Sequence, residues 1–102
     1  MTVFEALADP TRRQIVQLVA MRELSAGDIA SHFDVTRPAV SRHLRVLRES
    51  GLLSARGDAQ RRLYTLNPGA LDDLDEWVER TRSFWSGRLE RLDRHLEENV
   101  DS

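Results

Sequence analysis

A mainly α-helical domain with one small β-hairpin, in the order α-α-α-α-β-β-α, is the fold class that this 102-residue sequence predicts. Three observations predict it. Apolar residues recur at steps of three and four from Val3 to Leu47, the signature of amphipathic helices. That period breaks over residues 52–66, where Leu53, Leu63, Tyr64, Thr65 and Leu66 favour extended backbone on either side of a polar tip. From Leu71 to Leu96 the helical period returns and runs much longer than before.

Val3, Phe4 and Leu7 predict a short opening helix. Asp9-Pro10 reads as an N-cap followed by proline in the first turn, where a missing N–H costs nothing. Ile15, Val16, Leu18 and Val19 give the second helix its buried side, ending near Met21. Ser25 offers the next cap, with Asp28 near the positive end of the helix dipole. Ile29, Ala30 and Phe33 make a short third helix that faces the core, and Asp34-Val35 predicts a tight turn after it. The fourth helix spans 36–49, capped by Thr36 or Arg37. Pro38 restricts Arg37 and leaves the choice open. Gly51 suits the residue just past its end. An antiparallel hairpin over 52–66 follows, its tip expected at Gly57 to Gln60, and it must lie on the helices because such a ribbon is marginal alone. Asn67-Pro68 opens the last helix, which runs to about residue 97, or ~45 Å, with a bend expected at Ser86-Gly87.

The length suits a single domain, residues 1–102, with a modest core that gains from burial against a second copy. There is no cysteine, which excludes disulfides, thiolate metal sites and thiol nucleophiles and fits a reducing cytoplasm. No apolar run approaches a membrane span, and "MTVFEALADP" lacks a signal pattern, so a cytoplasmic location and no membrane contact are expected. The formal charge of −2 is unevenly divided. Residues 36–62 hold seven arginines against Glu49 and Asp58, a local +5, while residues 67–102 come to −5. A local basic patch matters more for polyanion binding than the total does.

On a helical wheel of residues 37–49, Val40, Leu44 and Leu47 face the core, and Pro38, Ser41, Arg42, Arg45 and Glu49 face away. A short helix, a turn and a second helix with such an outer face make a helix-turn-helix over 26–49. In that arrangement the second helix enters the DNA major groove. Arginine suits this place because its fork pairs two acceptors on guanine, and serine donates or accepts. Arg45 and Arg48 lie farther along, where phosphate contact is expected. Arg56, Arg61 and Arg62 surround the hairpin tip and make it a basic wing beside the helix-turn-helix, suited to the phosphate backbone or minor groove.

"FEALADPTRRQIVQLV", "LSAGDIASHFDVTRPAVSRHLRVLRESGLL" and "RRLYTLNPGAL" resemble the ArsR family of bacterial winged-helix repressors, from about Val3 to Leu71. The resemblance implies a homodimer built from the first and last helices (residues 1–8 and 68–97) that binds a palindromic operator in double-stranded DNA and blocks transcription. Carried over by position, it places Thr36, Arg37, Pro38, Ser41, Arg42 and His43 on the recognition helix and Arg61 and Arg62 on the wing. A hydrogen-bonded structural role for His43 competes with base contact. The dimer surface expected is Val3, Phe4, Leu7, Leu71, Leu74, Trp77, Val78, Phe84, Trp85, Leu89, Leu92 and Leu96.

Many members of that family sense metals through cysteines in the third helix or through Asp and His in the last. The first site is impossible here, because "AGDIASHF" offers only Asp28 and His32. Asp93, His95 and Glu98 imitate part of the second, but the further histidine it needs is missing. Neither a metal nor a cofactor is therefore expected. Trp77, Phe84 and Trp85 either line a pocket for a small apolar effector at the dimer seam or pack the dimer. A partner protein, or no effector, also stays open. Catalysis is not expected, since no nucleophile set or glycine-rich phosphate loop appears. The rival to a DNA-binding regulator is a protein-interaction module that keeps this fold and has lost DNA binding.

Overall fold

In the computed structural model, which describes residues 2–100 and side chains through residue 97, Thr2 caps the first helix by accepting a hydrogen bond from the Glu5 N–H at 3.1 Å. This helix, α1 (Val3–Ala6), is too short to hold itself. Arginines of the next helix, α2 (Pro10–Met21), hold its last carbonyls: Arg12 Nε donates to Ala6 O at 2.6 Å, and Arg13 Nη1 donates to Leu7 O at 2.8 Å. Asp9 caps α2 as expected, accepting from the Arg12 N–H at 3.0 Å with Pro10 in the first turn.

A short strand that the sequence did not announce comes next, β1 (Leu24–Ser25). Ser25 ends it and also caps α3 (Ala26–Ala30) in a capping box, its hydroxyl accepting from the Asp28 N–H while the Asp28 carboxylate accepts from the Ser25 N–H. A serine with both duties reads only as a cap in sequence, which is why the strand was missed. The expected third helix ends early. Phe33 lies beyond it, half-buried against the core, and six residues, 31–36, connect α3 to the next helix instead of a tight turn of two or three.

Thr36 settles the open cap of α4 (Arg37–Glu49), its hydroxyl accepting from the Ala39 N–H at 3.2 Å. Gly51 follows α4 with φ +86°, a left-handed conformation that glycine adopts without steric cost. Strands β2 (Leu53–Asp58) and β3 (Arg61–Leu66) form the hairpin, with the tip reduced to Ala59-Gln60 and Asp58 opposite Arg61. Ala59 takes φ +57°, as the first residue of a two-residue hairpin loop often must. With β1 the sheet has three strands in the order β1-β3-β2, all antiparallel. The predicted helix start at Pro68 is a 3-10 turn, Pro68–Leu71.

Ile15, Ile29, Val40, Leu44, Leu47 and Leu52 are the large, fully covered side chains of the core, joined by Leu24, Leu53 and Tyr64 from the sheet. Strand alternation puts Leu53, Ala55, Tyr64 and Leu66 on the face toward the helices and Ser54, Arg56, Leu63 and Thr65 on the other. Val3, Leu7 and Leu71, expected at a dimer surface, are partly buried against this core, while Phe4 is 44% exposed.

Backbone contacts divide the chain after Leu71. The second unit consists of α5 (Asp72–Val100), which is unbroken through Ser86-Gly87. Acidic Asp72, Asp73 and Asp75 occupy its first turn, where the helix dipole favours them. Leu74 and Val78 are half-buried. Trp77, Phe84, Trp85, Leu89, Leu92 and Leu96 are each at least half exposed, between 50% and 57%. Phe84 meets Trp85 edge to face at 5.8 Å, and the Arg88 guanidinium lies 5.6 Å from the Trp85 ring centre.

Candidate nucleic-acid interface

Helix α4 separates its two faces cleanly. Val40, Leu44 and Leu47 are buried, which fixes the rotation of the helix. Arg37, Pro38, Ser41, Arg42, Arg45, Arg48 and Glu49 are exposed as a consequence. Pro38, Ser41, Arg42 and Arg45 line one continuous shallow surface, uncovered by any described part of the chain. Thr36 caps the first turn of α4 twice, its hydroxyl accepting from the Ala39 N–H at 3.2 Å and its carbonyl from the Val40 N–H at 3.1 Å.

His43 is the recognition-helix residue that the fold turns away. It is partly buried on the flank of α4, with Nδ1 4.0 Å from Asp9 Oδ2 at the start of α2. That places it between two helices rather than on the outer face. The Asp9 carboxyl is held below the usual carboxylate range, first by the hydrogen bond from the Arg12 N–H and also by the proximity of His43.

The wing arginines differ among themselves. Arg37 from α4, Arg61, Arg62 and Gln60 from the hairpin, and Gly27 from α3 line a cleft of about 530 Å³ between helix and wing, with Tyr64 and Ser25 behind them. Arg61 Nη1 sits 3.9 Å from Asp28 Oδ2, a loose pair. Asp28 is lowered below its usual range chiefly by the hydrogen bond from the Ser25 N–H, then by the Ser25 hydroxyl, with Arg61 a smaller cause. Arg56 is engaged more firmly, since its Nη2 donates to Glu23 Oε2 at 2.6 Å. That hydrogen bond and the charge of Glu23 raise the guanidinium above its already high range.

Sequence reasoning missed Glu23, Gln60 and the wall formed by Gly27. Gln60 was legible as part of the tip. Glu23 was not, because its partner is 33 positions away and the strand that aims it is two residues long. His32 has Nδ1 2.8 Å from Asp28 O. Asp93 and His95 lie on α5, and the side chain of Glu98 is outside the described residues. No helix among the described residues is long and apolar enough to cross a membrane.

Comparison with known proteins adds independent findings. The family model described as bacterial regulatory protein, arsR family, matches residues 9–55, from the cap of α2 into β2. The transcriptional repressor SdpR of Bacillus subtilis is 40% identical over 76 residues, covering 74% of this chain and 84% of its own length. An ArsR-like transcriptional regulator from Rhodococcus superposes with a TM-score of 0.77 at 28% identity, over 90% of this chain and 87% of that one. A homodimeric winged helix-turn-helix DNA-binding domain from Mycobacterium bovis, described as a possible ArsR-family regulator, gives a TM-score of 0.65 at 28% identity, over 79% and 75%.

Proposed function

Because this chain belongs to the arsR family of bacterial regulatory proteins, we infer that it is a sequence-specific DNA-binding transcriptional regulator, a homodimeric repressor acting on a palindromic operator. The observation that carries this reading is the exposed face of α4, with Ser41, Arg42 and Arg45 above a fully buried aliphatic back. A buried back holds the helix rigidly, so the outer face enters a groove without reorganisation.

Roles follow from position. Thr36, Arg37, Pro38, Ser41 and Arg42 lie at the start of α4, the end that meets base edges in helix-turn-helix proteins. Arg42 offers a bidentate fork to guanine, and Ser41 a short donor or acceptor. Arg45 and Arg48, farther along, pair with phosphates. Arg61 and Arg62 bring the wing onto the backbone, and their contribution is affinity and register rather than sequence choice. His43 positions α4 against Asp9 instead of touching bases.

Dimerisation follows from α5, whose open apolar stripe calls for a second copy. Two recognition helices then address half-sites one DNA turn apart, about 34–36 Å. The repressor acts in the cytoplasm by occupying DNA and not by catalysis. With no cysteine in the chain, thiolate metal sensing is chemically closed to it. Trp77, Phe84 and Trp85 serve the dimer seam first, and an effector, if one acts, binds among them. The rival protein-interaction module calls for acids on the outer face of the recognition helix, where Glu49 is the one present beside Ser41, Arg42 and Arg45.

A gel shift with DNA from upstream of the protein's own gene tests the reading. Salt-sensitive, sequence-selective binding at micromolar protein is expected; binding that ignores sequence, or none, refutes it.

A further inference from the structure

Glu23 and Arg56 are joined across the whole width of the sheet. Glu23 stands just before β1, one edge strand, and Arg56 lies within β2, the other edge strand, with β3 between them. Arg56 Nη2 donates to Oε2 at 2.6 Å and Nε to Oε1 at 3.5 Å, so two sides of one guanidinium face two oxygens of one carboxylate. Arg56 pairs in register with Leu63, and Ser25 of β1 pairs with the same Leu63 from the other side. Leu63 is only 7% exposed although it stands on the face away from the helices. The ion pair thus spans the sheet at the last covered rung of the hairpin. From Gly57 to Arg62 every residue is exposed.

We propose that the Glu23–Arg56 pair is a strut that sets the pose of the wing, so that Arg56 is a positioning residue while Arg61 and Arg62 meet the phosphate backbone. The proposal rests on the DNA-binding reading above. Its physical basis is the difference in engagement. The Arg56 guanidinium is already engaged by a carboxylate, through one short hydrogen bond of 2.6 Å and a longer contact of 3.5 Å from its other side. Arg61 is held only at 3.9 Å, and among the described residues Arg62 makes no ion pair. A cation with a filled fork gives up that bond before it takes a phosphate, whereas Arg62 gives up nothing. A two-stranded tip is weakly determined by its own ladder. A tie between the outer strands, placed where cover ends, therefore governs where the tip points.

The experiment measures affinity against salt concentration, using a duplex selected from a random-sequence pool by the wild-type protein. Arg62→Ala flattens the slope of log affinity on log salt by about 0.9 per lost phosphate contact, or about 1.8 in a dimer. Arg56→Ala and Glu23→Gln each lower affinity about two- to fivefold per protomer, the range typical of one exposed ion pair, and leave the slope unchanged. Combining them adds nothing further. Exchanging the two charges, Glu23→Arg with Arg56→Glu, restores affinity toward wild type. Circular dichroism and thermal unfolding confirm that each variant is folded.

The strut stands only while three conditions hold, and breach of any one overturns it. Arg56→Ala must not flatten the slope as Arg62→Ala does. Glu23→Gln must not strengthen binding, as it would if it released a DNA-contacting arginine. The exchanged pair must not bind worse than Arg56→Ala, as it would if an acid at position 56 faced phosphate. A wild-type protein that selects no duplex fails earlier, at the DNA-binding reading itself, and removes both.

Discussion

Helices α4 and α5 are both amphipathic, yet they present their apolar sides in opposite ways. In α4 the aliphatic residues Val40, Leu44 and Leu47 are at most 1% exposed. In α5 the residues of the stripe from Trp77 to Leu96 that are large and apolar stay half exposed, apart from Val78. The periodicity that signals a helix says that one side wants cover, not where the cover comes from. For α4 the cover is this chain's own core, so its polar face is what the molecule offers to others. For α5 it is the apolar face that is on offer. On the function proposed above, one helix meets a polyanion and the other its own copy.

The largest effect expected separates the two at once. Leu47→Ala empties a fully buried site and costs about 2–5 kcal/mol in urea unfolding. Leu92→Ala, on the open stripe, leaves the protomer's stability at low concentration nearly unchanged. Equal losses at both positions would break the comparison.

Next comes Trp85→Ala, which weakens the dimer by about 2 kcal/mol or more, roughly thirtyfold, because buried tryptophans dominate interfaces. Sedimentation over a concentration series reads this directly. A dissociation constant unmoved by Trp85→Ala would mean that the stripe meets something other than a second copy. On the other helix, Arg42→Ala costs about 1–3 kcal/mol on the selected duplex and relaxes its base preference. Arg62→Ala weakens all duplexes alike, so identical profiles for the two would erase the division between helix and wing.

The smallest effect concerns how α4 is held from behind. Asp9→Ala removes the cap of α2 and its contact with His43, costing about 0.5–2 kcal/mol. The Asp9 and Asp28 carboxyls lie below their usual value of 3.8 in the folded protein, both mainly through backbone hydrogen bonds that need the charged form. Their stabilisation is therefore complete above the ordinary carboxylate range and drains away as pH falls through the lowered folded values. Acid titration of unfolding free energy shows this as a loss below about pH 4 that Asp9→Asn makes shallower. A curve identical to wild type would show that the cap carries no linkage.

The helices were legible because their signals are local. Asp9-Pro10, Ser25 with Asp28, Thr36 and Gly51 each act within four residues; three sit where a cap or stop was expected, and Thr36 is one of the two caps left open for α4. The outward turn of Ser41 and Arg42 was equally readable, since Val40, Leu44 and Leu47 fix the rotation of α4. Illegible features depend on distant partners. Strand β1 exists only because β3 pairs with it, Leu24 opposite Tyr64. Glu23 reaches Arg56 from beside that strand, and His43 meets the carboxylate that caps another helix. Phe33 was assigned to α3 on its apolar character, but burial is what placed it, not helical geometry.

The arginines that hold α1 carry one last consequence. Arg12 and Arg13 bind carbonyl oxygens of Glu5, Ala6, Leu7 and Ala8, anchoring a helical turn too short to persist on its own hydrogen bonds. Guanidinium donors engaged by carbonyls are not on hand to pair with phosphates, although the charge itself remains. A tally of arginines along the N-terminal two-thirds thus overstates how many can form direct phosphate contacts, and counterion release should track the few that remain unoccupied.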